Sequence, residues 1–244
     1  MRRTYLTMGC AVVMLSLTGC GEEMEVPYEN EALIGGPVEV QAPAQDESGD
    51  VEALALSGCY TVGGTVITND ALNLRTGPGT TYGIILTMPL GSKVTIQQSC
   101  PSSGFYNVKY GTSTGWASGT YLNTMRSVSV SGGPVLSHVQ SYANAVCSAT
   151  GACSISTYEG HHPTRDRALD TLVSSAYGVY PSDGNYLGDR VAQMTLNQWS
   201  SYRTWYVIWK QQINYNDGRG WLWMEDRGSI TQNHYDHVHT SFNL

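Results

Sequence analysis

The sequence predicts an α+β chain with two folded parts. The first is a small all-β barrel; the second is an α+β domain built on an antiparallel sheet. Three observations carry this expectation. From residue 58 to 123, short β-rich runs alternate with glycine-rich turns, the punctuation a small barrel needs. From 134 to 244, two stretches with helical apolar spacing are interleaved with β-branched and aromatic runs. Between them, 124–133, with Ser129-Val-Ser-Gly-Gly133 at its end, reads as a short linker.

The 57 residues before the barrel have a different character. Met1-Arg-Arg followed by an apolar stretch from Met8 to Leu17 reads as a secretory signal over 1–19, too short to span a bilayer comfortably. It closes on Leu17-Thr-Gly-Cys20, which resembles a bacterial lipobox. The resemblance implies lipidation of Cys20 and, with Gly21 following, an outer-membrane destination if the cell is Gram-negative. Residues 20–57 read as the lipidated cysteine and an acidic tether. Ten acidic residues and no Lys or Arg lie between 21 and 57, so chain entropy and self-repulsion keep the segment extended. The formal charge of −7 therefore belongs to the tether. From residue 58 onward, 11 basic residues nearly balance 10 acidic ones, and nothing resembles a basic patch for nucleic acid.

With Cys10 in the signal and Cys20 taking the lipid, four cysteines remain: Cys59, Cys100, Cys147 and Cys153. An exported chain makes two disulfides from these the natural expectation. Three pairings are open, and the domain boundary favours Cys59 with Cys100 and Cys147 with Cys153. No C-x-x-C pair points to a cysteine zinc site.

In the first folded part, the β runs include Thr65-Val-Ile-Thr68, Ile84-Ile-Leu-Thr87, Lys93-Val-Thr-Ile-Gln97 and Tyr106-Asn-Val-Lys109. Leu72-Asn-Leu-Arg-Thr-Gly-Pro-Gly79, Gly91-Ser-Lys-Val-Thr95 and Gly115-Trp-Ala-Ser118, followed by Tyr121-Leu122, resemble the bacterial SH3-type domain in the family's order. The resemblance implies binding of wall peptides or targeting of an attached enzyme. Tyr60, Tyr82, Trp116 and Tyr121 read as core or rim aromatics of such a barrel.

In the second part, Val135 to Ala149 places Leu136, Val139, Ala143 and Val146 on one helical face, and Gly188 to Trp199 does the same with Val191, Met194 and Leu196. Thr204-Trp-Tyr-Val-Ile-Trp209 reads as a buried strand and His237 to Phe242 as another. The second of these strands belongs to a dense cluster. His234, His237 and His239 form H-x-x-H-x-H beside Asp236, and side chains two apart on a strand share a face. That face can hold a metal ligand and a general base together. Upstream, Glu159-Gly-His-His-Pro-Thr-Arg-Asp-Arg-Ala-Leu-Asp170 offers His161 and His162 on a loop entering a strand. Asp170 interrupts the apolar run of Ala168, Leu169, Leu172 and Val173, where a carboxylate is costly unless paired or bound to a metal.

At these residues the chain resembles the D-alanyl-D-alanine carboxypeptidase and endopeptidase group of zinc peptidases, related to lysostaphin. The group's pattern is H-x6-D closed later by H-x-H. The resemblance implies a Zn²⁺ cofactor with Asp170 and His239 as ligands, His237 as catalytic histidine and His234 in support. Pro163 stands where the pattern has its first histidine, and Asp166 replaces a glycine. Spacing favours His162 as the remaining ligand, a Gly-His-x-Pro pattern favours His161, and both stay open with a lean to His161. Arg165, Arg167 and Arg227 are candidates to hold a peptide carboxylate, and Asp226 is a candidate to orient a ligand histidine from behind. The expected function is a zinc-dependent peptidoglycan peptidase that meets wall peptides and touches a membrane only through its lipid. The alternative is a non-catalytic wall-binding lipoprotein with a degenerate domain.

Overall fold

A computed structural model describes residues 55–244. The expected signal, the lipidated Cys20 and the tether up to residue 54 lie outside the described residues. None of the helices in the described part is long and apolar enough to cross a membrane.

The first part is a seven-stranded antiparallel sheet. Its strands are β1 (Thr65–Thr68), β2 (Leu72–Arg75), β3 (Ile84–Met88), β4 (Lys93–Ile96), β5 (Phe105–Tyr110), β6 (Ser113–Ser118) and β7 (Leu122–Thr124), in the order β3-β2-β6-β5-β4-β1-β7. Alternation sends Leu72, Leu74, Val94, Ile96, Tyr106, Val108 and Ala117 inward to one core. Leu56, at the end of the expected tether, is buried in that core, and its N–H donates to Leu122 O at 2.9 Å. The barrel thus begins slightly before residue 58. Cys59 and Cys100 are bonded, as are Cys147 and Cys153.

The second part comprises α1 (Ser137–Thr150), β8 (Ile155–Ser156), β9 (Ala168–Leu172), α2 (Tyr186–Asn197), β10 (Thr204–Trp209), β11 (Gln212–Asn214), β12 (Leu222–Trp223) and β13 (His237–Phe242). The strands form a six-stranded sheet in the order β12-β11-β10-β13-β9-β8, with antiparallel pairing between neighbours. Both helices pack on one face. Val139, Tyr142, Ala143 and Val146 of α1 and Val191 and Met194 of α2 meet Leu169, Val207, Val238 and Phe242 of the sheet. Close approach is built in at Gly188, where a Cβ would lie 2.1 Å from the Trp209 ring. Among the described residues, no α-helix packs on the opposite face of the sheet.

The residues read as a linker are a strap. Met125, Val128 and Val130 pack against the second core. The backbone N–H groups of Arg126 and Val128 donate to Ser148 Oγ at 2.8 Å and Asn144 Oδ1 at 3.0 Å, and Ser131 bridges to Ser156 beside β8. Alternating apolar residues facing a helix with polar side chains on that flank make the segment fixed structure, which its small polar composition conceals.

The two parts also share a core. In β1, Val66 points into the barrel while its neighbour Ile67 points out and joins Leu90, Val191, Met194 and Tyr202. Gly91 (φ +83°) leaves room for Met194, whose Cγ would be 2.6 Å from any Cβ there. Arg190 donates to the carbonyl of Asn69, and Asn123 Nδ2 to Ser148 O at 2.8 Å. Residues 55–244 are therefore expected to unfold in one calorimetric transition. Met194→Ala, which opens a cavity at this shared core, should cost about 2–5 kcal/mol and lower that single transition. Two separated transitions in the parent chain would contradict the shared core.

Candidate metal centre

Alternation along β13 sends Val238, Thr240 and Phe242 toward the helices and His237, His239 and Ser241 to the free face. Antiparallel register sets Asp170 of β9 directly opposite His239 and Ile208 of β10 on its other flank. His161 enters from the loop between β8 and β9. These residues form the floor of an open cleft of about 1050 Å³.

Three acceptor atoms converge there. His161 Nε2 lies 3.1 Å from Asp170 Oδ1 and 3.0 Å from His239 Nδ1, and the last two atoms are 3.0 Å apart. All three side chains are buried. The surrounding network assigns the imidazole protons. Thr157 Oγ1 spends its proton on Arg165 O at 2.5 Å, so it accepts from His161 Nδ1–H at 3.1 Å and leaves the His161 Nε2 lone pair inward. Ser241 Oγ donates to His162 O at 2.9 Å, so it accepts from His239 Nε2–H at 2.9 Å and leaves the His239 Nδ1 lone pair inward. Burial pushes the His239 imidazole below its ordinary value despite the adjacent Asp170 carboxylate, which favours the neutral ring. Burial opposes a charge on Asp170; imidazole N–H groups of His161 and His239 turned toward it, with the charge of His239 and His237, would hold its carboxyl well below the usual range, but with the lone pairs turned inward that relief has to come from a cation.

Two imidazole lone pairs and a carboxylate oxygen at this spacing repel unless a cation sits among them. A tetrahedral site with Zn–ligand distances of ~2.0–2.2 Å sets its donors roughly 3.3 Å apart, slightly wider than observed. Two nitrogens and one oxygen with an open side toward a cleft are a donor set that suits zinc. The rings are held by flat contacts: Tyr158 stacks on His161 at 4.2 Å and Tyr206 on His239 at 5.6 Å.

His237 stands beside this trio. Its Nδ1–H donates to Asp236 Oδ1 at 2.5 Å, which turns the Nε2 lone pair toward the centre, 3.6 Å from Asp170 Oδ1. Asp236 is fully buried and also accepts from Thr231 Oγ1 at 2.5 Å and Gly178 N–H at 2.6 Å. Burial raises its pKa, but these hydrogen bonds outweigh that and leave it an ionised, fixed acceptor. His234 lies against both ring neighbours, 4.7 Å from His237 and 5.7 Å from His239. Burial first, then these two imidazoles, lower its pKa to about 3. Among the described residues, its Nδ1 has no hydrogen-bond partner. The His234 backbone is left-handed (φ 56°) and pinned by the β10–β11 turn, where Lys210 (φ 51°) and Gln211 (φ 59°) donate their N–H groups to His234 O at 3.0 Å and Asn233 O at 2.7 Å. Three non-glycine residues in this costly region, His234, Lys210 and Gln211, thus meet beside the site.

Of the two loop histidines, His161 joins Asp170 and His239; His162 does not. Its Nδ1 faces Tyr206 OH at 2.6 Å and its ring lies against Trp205 at 5.4 Å, one residue further round the loop. Arg165 and Arg167, expected to hold substrate, point away from the cleft: Arg165 pairs with Glu159 at 2.6 Å and Arg167 Nε donates to Thr164 Oγ1 at 3.1 Å. Arg227 does line the cleft, near Glu225 at 3.8 Å. Asp226, expected behind a histidine, accepts instead from Asn233 Nδ2 at 2.7 Å and Gly228 N–H at 2.8 Å, bracing the loop. The carboxylate that orients a histidine is Asp236. Its place beside the histidine cluster was visible; its direction needed the fold. Thr157 and Ser241 carry no motif that would mark them.

Residues 70–123 match the family model described as the bacterial SH3 domain. This segment is a bacterial SH3 domain. Residues 131–235 match the model described as the VldE C-terminal domain, a description that names no reaction. His161, Asp170 and His234 fall inside that match, whereas His237 and His239 lie just beyond it. No curated protein and no solved structure matches the chain.

If Thr157 and Ser241 set the tautomers, Thr157→Val and Ser241→Ala should each weaken Zn²⁺ binding about 10–100-fold with the fold intact. Competition against a chromogenic chelator, with circular dichroism as control, measures this; affinities equal to the parent for both variants would refute the assignment.

Proposed function

We propose that the chain is a zinc-dependent peptidase of wall peptides. The observation that carries this reading is the convergence of one side-chain atom each from His161, Asp170 and His239 on an open cleft floor, with an aspartate-held histidine beside them. The bacterial SH3 domain on the same chain is consistent with interaction with peptidoglycan and supports that substrate class. The resemblance of the histidine and aspartate motifs to zinc peptidases supports the reaction class.

His161, Asp170 and His239 would hold the ion, which when bound would supply Lewis acidity and lower the pKa of a water beside it to about 7. His237 accepts the attacking water's proton at Nε2 while Asp236 stabilises the imidazolium through Nδ1–H. The same nitrogen then gives that proton to the departing amine. His234 stays neutral at physiological pH, and its cleft-facing ring can hydrogen-bond the developing oxyanion. Arg227, on the cleft wall, supplies positive charge for a peptide carbonyl or carboxylate.

Around this centre, the lipid at Cys20 and the acidic segment behind it would anchor the exported chain.

Digestion of purified peptidoglycan by the full chain, followed by mass spectrometry, tests the reading. Peptide release should vanish on chelation and return with Zn²⁺, and Asp170→Ala and His239→Ala should release nothing. His237→Ala should retain zinc yet lose roughly 10²–10⁴-fold in rate. Equal release by parent and variants would overturn the proposal.

A further inference from the structure

The walls of the cleft are more unusual than its floor. Among the described residues of the second part, the large apolar side chains left exposed are Tyr158, Tyr177, Val179, Tyr180, Tyr186, Trp205, Trp223 and Leu244, overwhelmingly aromatic. Three of them, Tyr158 (54 % exposed), Tyr177 (46 %) and Trp205 (39 %), line the cleft. They stand on both sides of the metal centre. Tyr158 and Tyr177 contact His161 and His237 on the β9 side; Trp205 contacts Tyr206 at 5.2 Å and His162 at 5.4 Å on the β10 side. Each ring is fixed by one face or edge against a neighbour and leaves the rest open.

Aliphatic pockets suit aliphatic side chains; fixed, open aromatic rings suit flat ligands that carry polar groups at their rims. A pyranose is such a ligand, with axial C–H bonds on its face and hydroxyl or acetamido groups around its edge. The cleft supplies edge partners in Glu225, Arg227 and Gln232, of mixed charge. An open cleft of about 1050 Å³ has room for sugar units beside a peptide. We infer that the aromatic walls form a saccharide-binding subsite, so that the substrate of the proposed peptidase is a peptide still attached to its glycan strand rather than a free peptide. This rests on the peptidase reading for the role of the sugar, but the binding itself does not.

Isothermal titration of the full chain with a β-1,4-linked N-acetylglucosamine hexamer tests the inference. The parent should bind. Trp205→Ala and Tyr158→Ala should each weaken binding about tenfold or more, and Trp205→Phe, which keeps a ring, should stay within about threefold. No binding by the parent, or binding untouched by both alanine variants (as for a site on the SH3 domain), would overturn it. Tight binding of a free stem-type peptide without the hexamer would also overturn it. The two readings fail separately. Hexamer binding that depends on Trp205 without any zinc-dependent peptide release keeps the subsite and removes the peptidase. Hydrolysis of glycan-free peptide at equal rates by parent and Trp205→Ala, with no hexamer affinity, does the reverse.

Discussion

Asp170 and His239 face each other across one antiparallel ladder, and the site depends on that register. Side chains on a strand alternate, so a slip of one residue between β9 and β13 would exchange their faces. His237, His239 and Ser241 would turn toward the helices, and Val238, Thr240 and Phe242 toward water. The apolar face against α1 and α2 forbids this. The hydrophobic core thus selects the register, and the register brings a carboxylate and an imidazole to within 3.0 Å. A buried carboxylate beside two imidazole lone pairs is unfavourable alone, and the helices behind the sheet are what make it tolerable to the fold.

Geometry alone would still leave the protons free to move. Two hydroxyls prevent that, each committing its proton to a backbone carbonyl and so accepting from the outer nitrogen of His161 or His239. Asp236 does the same for His237, accepting from Nδ1–H and leaving Nε2 toward the centre, as in His161. His234 is held by a hairpin turn whose own residues occupy left-handed backbone. Strain of this kind persists only where surrounding structure enforces it, and here that structure includes the strand carrying Tyr206.

Much of this was readable in the residues. The period of two in His237-Val-His239-Thr-Ser-Phe242 placed both imidazoles on one face, and Asp170 betrayed itself by interrupting an apolar run. The barrel strands and both disulfide pairs follow from turn punctuation and the domain boundary. Other features are tertiary and leave no local trace. His161 and His162 are adjacent and chemically identical, and only the path of the loop decides which ring reaches Asp170. Arg165 turns away because Glu159 lies within reach once the loop folds. Asp226 and Asp236 both neighbour the cluster, and only one is on the side of His237 Nδ1. Ile67 alternates like any barrel residue, so nothing in the sequence shows that its face is covered by the second part.

That shared core also joins the SH3 domain to α2, which backs β10 and hence one wall of the cleft. The site stands or falls on one ion shared by His161 Nε2, Asp170 Oδ1 and His239 Nδ1. A crystal of the full chain grown with Zn²⁺ and measured at the zinc absorption edge addresses it most directly. The account requires one anomalous peak at about 2.0–2.2 Å from His161 Nε2, Asp170 Oδ1 and His239 Nδ1. A peak ligated by His162 or His237 in place of His161, or no peak at saturating zinc, would contradict it.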